Sequence, residues 1–406
     1  MSLVFNFNRV RPLISSTKLF FRSPKVPTFL FFNYFHPFVE RTKAPPPNPL
    51  ATLPVLCAAT PKRYNLSLKP EFTTIRSRMK YYSCSCYFHS NIYLKSLNLH
   101  VTFHNEEQLR NALMKHNLGQ LVLTSCIDDA VKEAAAEIAR RKESFQKSSL
   151  IKEQIRHLYK PLIPGLRQFD ESVLHPSFRR FTGSDMSSWC ISERFQLYQF
   201  PVFTDEFVNS LVSELDHFNQ SGLDCSRPNT MNRYGVLLDE LGFGLFFDQL
   251  VRQYLSPISS AVFSAWVGCA LDSHRAFTVS YQLGQDVDLG FHYDNAEVTL
   301  NVSLSDAFED GQLYFCDMRG RPISEQQCWP VQHRKGWGIL HRGQQLHGAL
   351  PISRGQRSNL IIWMRASSVR NQRCPMCDQI PDLIEAPDGC YGDGFTTAET
   401  KNEAAL

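Results

Sequence analysis

The segment Gly290-Phe291-His292-Tyr293-Asp294 sets a histidine and a carboxylate two residues apart. On an extended backbone, residues i and i+2 point to the same face. His292 and Asp294 can therefore offer one imidazole nitrogen and one carboxylate oxygen to a single metal ion. One more histidine from another strand would complete a two-histidine, one-carboxylate set. Such a set leaves the remaining metal positions open, as non-haem Fe(II) oxygenases require. His-x-Asp alone is a common pair and also suits a surface turn. Among the 13 histidines, His333, His341 and His347 follow at usable distances.

An oxygenase of this kind that consumes 2-oxoglutarate must hold the far carboxylate with a base on a neighbouring strand. The planar fork of an arginine suits that task. Arg357 follows His347 at a spacing of ten residues, beyond the turn residues Pro351 and Gly355. The same step from His341 reaches Pro351, and from His333 it reaches Gly343. Only His347 has the partner, so His347 is the expected third ligand and His341 a neighbouring residue. Hydrolase chemistry finds no support: neither G-x-S-x-G nor H-E-x-x-H occurs.

The elements that must position these residues are short strands. Alternation and turn residues predict strands at Arg275–Tyr281, Val298–Ser303, Gln312–Phe315, Gly338–His341 and Ser358–Met364. This pattern suits a sandwich or jelly roll. Along the strand after Gly355, period two puts Arg357, Asn359, Ile361 and Trp363 on one face. Ser358, Leu360, Ile362 and Met364 take the other. Trp363 then shares a wall with Arg357 and is expected to be a core residue.

Upstream, Tyr93–Phe103 reads as a strand and Phe195–Phe203 as another. Thr204 is placed to cap a helix with Asp205 and Glu206 in its first turn. Phe207, Val208, Leu211, Val212, Leu215 and Phe218 would form its buried stripe. A further helix is expected over Phe246–Val262. Ser125 with Asp128 suggests a capping box. Ile127, Val131, Ala134, Ala135 and Ile138 would be the buried stripe behind it, with Lys132, Glu133, Arg140 and Arg141 facing water.

With these pieces in place, a resemblance stands out. Tyr281-Gln-Leu-Gly284-Gln285, His292-x-Asp294, Gly311-Gln-Leu-Tyr-Phe315, His347-Gly348, Gly355-x-Arg357 and Trp363 occur in that order. Together they resemble the prolyl/lysyl-hydroxylase branch of the 2-oxoglutarate/Fe(II) dioxygenases. Arg227-Pro-Asn-Thr-Met-Asn232, Leu271-Asp-Ser-His-Arg-Ala-Phe277 and Cys374-Pro-Met-Cys377 are similar to a narrower group within it. The likeness runs from about Lys80 to Thr397.

The resemblance implies an α+β protein. Its core would be a double-stranded β-helix, a distorted jelly roll, with flanking helices and a helical N-terminal region before it. It implies Fe(II) on His292, Asp294 and His347, and the 2-oxoglutarate C5 carboxylate on Arg357. Tyr281 is expected to line the cosubstrate pocket or to be buried structurally, with Thr299 or Asn301 as alternatives. Asn295 and Glu297 would support the ligands, although Glu297 equally suits a solvated turn. The implied reaction uses O2 to hydroxylate a substrate C–H bond, releasing succinate and CO2, with L-ascorbate as auxiliary reductant. A protein side chain of prolyl or lysyl type is the expected substrate. The rival expectation is a jelly-roll module that binds metal or a partner without turnover.

Cys374-Pro-Met-Cys377 has the spacing of half a zinc site. Cys84 and Cys86 could complete it, with Cys390 or His89 in reserve. The alternatives are separate reduced thiols, or a redox pair, which lacks a thioredoxin-like surround. Twelve cysteines in 406 residues, mostly isolated, do not make a small secreted disulfide framework. Reduced thiols in an intracellular protein are the simpler expectation.

Charge divides the chain. Residues 1–78 carry 12 Lys/Arg against Glu40 and Glu71, while the rest is net −6. An acidic body disfavours nucleic-acid binding. No apolar run approaches the length of a membrane span. The first 78 residues suit a transit peptide or a disordered extension, or translation begins at Met79. A cytoplasmic or nuclear location is expected, or a mitochondrial one if the segment is a transit peptide. The expected divisions are 1–78, a mainly helical region 79–190, an oxygenase domain 191–366 and a cysteine-containing tail 367–406. Arg227–Leu238 is polar enough to border a substrate cleft, and equally suits a capped loop entering a helix. Arg319, Arg321, His333, Arg334 and Lys335 form a basic stretch expected to be solvated.

Overall fold

The computed structural model describes residues 80–397, apart from 98, 116–123, 182–185, 269, 322–324 and 388–390. The basic segment 1–78, Met79 and Cys390 lie outside the described residues. Two antiparallel sheets carry the site. The larger runs β4 (Cys190–Ser192), β5 (Leu197–Pro201), β12 (Trp337–Arg342), β8 (Val298–Ser303), β14 (Ile352–Arg365) and β6 (Ser273–Gln282). A seventh strand, β9 (Phe308–Asp310), pairs with the start of β14. The smaller runs β11 (Cys328–Val331), β10 (Leu313–Met318), β13 (Gln345–Ala349) and β7 (Leu289–His292). Leu197 and Ile339 of the larger sheet pack with Leu313, Phe315 and Ala349 of the smaller one.

Alternation decides what each face does. On β8, Val298, Leu300 and Val302 join the main apolar core, and Thr299, Asn301 and Ser303 are buried on the opposite face. On β14, Leu360, Ile362 and Met364 join the same core. Arg357, Asn359, Ile361 and Trp363 line an interior pocket instead, as the period-two pattern predicts. Outside the larger sheet lie α3 (Asp205–Gln220) and a helical run of α4 (Gly244–Leu250), a π-turn (Val251–Leu255) and α5 (Ser256–Val262). Phe207, Leu211, Phe246 and Phe247 close this layer. Each such fully buried side chain contributes about 1.5–3 kcal/mol over its exposed state. Thr204 caps α3 as expected, its Oγ1 accepting from Phe207 N at 3.2 Å. Val212 is only half-buried, and Glu214 takes a buried place instead.

The N-terminal region differs from expectation in detail. The predicted strand Tyr93–Phe103 is a hairpin of β2 (Ile92–Leu94) and β3 (Leu99–Val101). It packs on α1 (Glu106–Lys115) and α2 (Thr124–Leu158). Ser125 lies inside α2 rather than capping it, and Asp128 pairs with Arg110 at 2.8 Å. Ala130, not Ala135, shares the buried stripe with Ala134, and Ala135 faces water. Arg141 does not face water. It is 2% exposed and donates to the carbonyls of Tyr87, Ser90 and Asn91. Glu133 accepts from the backbone of Lys95 at 2.7 Å.

The tail returns to the start. β1 (Tyr82–Cys84) pairs with β15 (Leu383–Glu385). Cys316 and Cys328, expected to be separate thiols, are cross-strand neighbours on β10 and β11 and are joined as a disulfide. Sequence separation hides this pairing; strand register creates it.

Candidate metal centre and cosubstrate pocket

His292 ends β7, and its cross-strand partner on β13 is His347. The two rings lie 4.2 Å apart between centroids. Asp294 follows just beyond β7, held by its amide donating to Gly343 O at 2.7 Å. Nε2 of His292 is 3.7 Å from one Asp294 oxygen, and Nε2 of His347 is 3.7 Å from the other. One ligand atom from each residue lies within 4.8 Å of the others, and all three residues are buried. The structure thus brings together the three residues singled out by spacing.

Neighbouring groups prepare them for a cation. Nδ1 of His292 faces Gly290 O at 2.8 Å, and Nδ1 of His347 faces Gln345 O at 2.9 Å. A carbonyl can only accept, so each Nδ1 carries the proton and each Nε2 keeps its lone pair. Burial pushes both imidazoles down to about 4, so both are neutral near pH 7. The Asp294 carboxyl is pushed up by burial, against the opposing pull of His292 and Thr299. Thr299 donates to Asp294 at 2.6 Å and fixes its orientation. Two neutral imidazoles and one carboxylate suit Fe(II). His341 stands beside this set, its ring 4.7 Å from that of His347 and its Nε2 3.9 Å from Asp294. It is fully buried, yet it is not part of the converging group.

Arg357 lies on the wall of the same pocket. Arg357, Arg365 and Arg370 are each at most 1% exposed, and they differ in one respect. Arg365 donates to Asn295 O, Gly392 O and Asp393. Arg370 holds Glu297 through Nε and Nη2, and its Nη1 reaches Asn295 and Asp393 O. Arg357 bonds only Gly311 O, and its Nε and Nη2 have no hydrogen-bond partner among the described residues. Unused charged donors in the interior are costly unless something accepts from them. A small dicarboxylate fits that need.

Tyr281 is the cross-strand partner of Arg357 on β6. The guanidinium carbon sits 4.0 Å from its ring centre. Its hydroxyl accepts from Asn232 at 3.0 Å. Arg227–Leu238 therefore does border the pocket, through Asn229 and Asn232. Asn301 accepts from Asn359 at 2.8 Å. Asn295 and Glu297 brace the tail rather than the metal ligands. Glu297 is not a solvated turn residue: it is 4% exposed and pairs with Arg370 at 2.9 Å. Gln344 was not foreseen; it donates to Asp294 O at 2.9 Å. Nothing local marks it, because the contact crosses between loops. His333 is not on a solvated face either: it lies 2.9 Å from Asn359.

A second hollow shares His292, Leu289, Asn229 and Trp363 with this pocket. Arg140, Arg141, Arg227 and Arg275 line it against one acid, Asp393. Glu137 accepts from both Arg140 and Arg141. Arg227 and Arg275 have no ion-pair partner among the described residues. At the far end are Cys84, Cys86 and Cys374.

Comparison with known proteins places the chain in a family. A protein-family model described as "OGFOD2-like domain" matches residues 155–268. The chain is 43% identical over 338 residues to 2-oxoglutarate and iron-dependent oxygenase domain-containing protein 2 of Xenopus tropicalis, covering 80% of this chain and 96% of that one. The Homo sapiens protein of the same name is 39% identical over 345 residues, covering 80% and 97%. A more distant relative is Procollagen-lysine,2-oxoglutarate 5-dioxygenase 1 of Homo sapiens, 25% identical over 173 residues, 40% of this chain and 23% of that enzyme. The chain is a 2-oxoglutarate-dependent dioxygenase and belongs to the family of 2-oxoglutarate and iron-dependent oxygenase domain-containing protein 2.

Proposed function

We propose that the protein hydroxylates a protein side chain, with His292, Asp294 and His347 holding Fe(II) and Arg357 holding the C5 carboxylate of 2-oxoglutarate. The iron and 2-oxoglutarate would supply the oxidising power from O2, releasing succinate and CO2, with ascorbate as auxiliary reductant. The observation that carries this reading is the convergence of three ligand atoms within 4.8 Å in the pocket that also holds Arg357 with its two unused donors. Tyr281 flanks the guanidinium and Thr299 orients the carboxylate. The order of strands in the two facing sheets supports a double-stranded β-helix.

The arginine-lined hollow bears on the substrate. A lysine ammonium entering past Arg227 and Arg275 would be repelled. A proline, especially next to acidic residues, would not. The distant likeness to a procollagen-lysine dioxygenase supports a side-chain substrate. The geometry favours the prolyl type within that class.

The test is anaerobic titration of 2-oxoglutarate into the Fe(II)-loaded protein, followed by the visible metal-to-ligand charge-transfer band, with His347→Ala as control. A band in wild type that is absent in the variant is expected. Peptides bearing proline or lysine in acidic contexts would then be assayed for gain of one oxygen atom by mass spectrometry. Iron binding without the band would point instead to a non-catalytic metal-binding module.

A further inference from the structure

Four cysteines from opposite ends of the described chain meet in one place. Cys84 and Cys86 come from β1 and the turn after it, and Cys374 and Cys377 from the tail. Cys86 and Cys374 are 288 positions apart in sequence, yet their sulfurs are 3.7 Å apart. All four Sγ atoms lie within 4.8 Å of one another, and all four residues are buried.

That distance separates the possible chemistries. A disulfide needs about 2.05 Å between sulfurs. A tetrahedral zinc tetrathiolate with Zn–S near 2.3 Å has sulfur–sulfur edges of about 3.8 Å. Cys316 and Cys328 of this same chain are joined as a disulfide, whereas these four stay separate. Cys374 N donates to Gln379 O at 2.8 Å, which closes the loop that carries Cys377. The Cys374–Cys377 turn closes with Asp378 N on Cys374 O at 2.9 Å, and Asp378 takes the left-handed φ of 66°.

The packing gives a second argument. The apolar cluster here consists of the four cysteines and Phe395, with Tyr82, Met376 and Leu383 at its edge. The strand pair it supports, β1 and β15, has three residues on each side. A two-stranded sheet of that size is marginal in water. Small units with so little core are held by a metal or by disulfides.

We propose that Cys84, Cys86, Cys374 and Cys377 bind one structural Zn2+ as four thiolates, releasing their four protons on binding. The ion staples the start of the described chain to the tail. Softness and closed tetrahedral geometry select zinc here, while the harder nitrogen–oxygen set at His292 suits Fe(II). The staple also shapes the substrate hollow. Cys84, Cys86, Cys374 and Met376 form one end of it, and Met376 O accepts from Tyr293, the residue between His292 and Asp294.

The experiment is elemental analysis of the full-length protein, with zinc-edge X-ray absorption on the same sample. About one zinc per chain in an all-sulfur shell is expected. Cys374→Ser with Cys377→Ser should drop zinc to background, and Cys377→His should retain it. His292→Ala should lose iron and keep zinc. Co(II) replacing zinc should give intense thiolate charge-transfer absorption. Zinc with a nitrogen–oxygen shell, zinc lost with His292→Ala, a disulfide among the four cysteines, or four freely titrating thiols without metal would each overturn the proposal. The absorption measurement on wild type decides the matter even if the serine variants do not fold.

Discussion

At the scale of residues, Arg357 and Thr299 are opposite cases. Arg357 presents unused donors to the pocket and touches no metal ligand directly. Removing it should cost cosubstrate binding while sparing iron. Arg357→Ala is expected to weaken 2-oxoglutarate by about 2–4 kcal/mol, the usual loss for one side of a buried charge pair. Calorimetric titration of 2-oxoglutarate, with iron affinity measured in parallel, checks this. Arg357→Lys should recover only part of the loss, because an ammonium lacks the planar fork. Thr299 acts through Asp294, to which it donates at 2.6 Å. Thr299→Val should lower iron affinity about 10–100-fold with a much smaller effect on 2-oxoglutarate. Equal losses of both ligands would mean that the threonine merely supports packing.

At the scale of elements, one glycine shapes the first part of β14. Gly355 takes φ of +77°, and a Cβ there would lie 2.1 Å from Ala307 O. It sits two residues before Arg357, where β14 pairs with β9 at Phe308. Gly355→Ala combines left-handed strain with a backbone collision. It should destabilise the protein by at least about 1–3 kcal/mol, seen as a lower denaturant midpoint. It should also weaken 2-oxoglutarate, because the register that aims Arg357 depends on the backbone conformation at Gly355. An unchanged midpoint would show that β9 can shift without cost. The strands bearing the two histidines were harder to foresee than β14. All five residues of β13 are buried, and Gln345-Leu346-His347-Gly348-Ala349 is short and holds no β-branched residue to mark it as a strand. β7 has four residues and borrows its extended conformation from β13.

At the scale of the molecule, buried neutral histidines couple stability to pH. Burial pushes His100 down to about 3 and His292 and His347 to about 4, and puts His341 well below its ordinary value. An unfolded chain takes up these protons near pH 6.5. Between about 6.5 and 4 the unfolded state therefore binds more protons than the folded one, and stability falls as pH falls. Each histidine contributes up to about 1.4 kcal/mol per pH unit in that window. The raised carboxyls of Asp294, Asp272 and Glu240 titrate in the opposite sense and offset part of it. Melting of metal-free protein should shift to lower temperature from pH 7 to pH 5, and iron loading should steepen the dependence. A flat profile would show that these imidazoles are hydrated in solution.

The sequence by itself determined what is local. The His292-x-Asp294 pair, the two faces of β14 and the Thr204 cap all follow from residue type and backbone period. Such periods need no knowledge of what packs opposite. Tertiary structure alone decided which distant groups answer each other. Thr299 found Asp294, Glu297 found Arg370 in the tail, and Arg141 turned inward to three carbonyls. Cys316 met Cys328 through the register of β10 and β11. Cys84 and Cys86 met Cys374 and Cys377 where β1 pairs with β15. Register and burial are properties of the packed chain, since a buried polar group takes whichever partner the fold brings within reach.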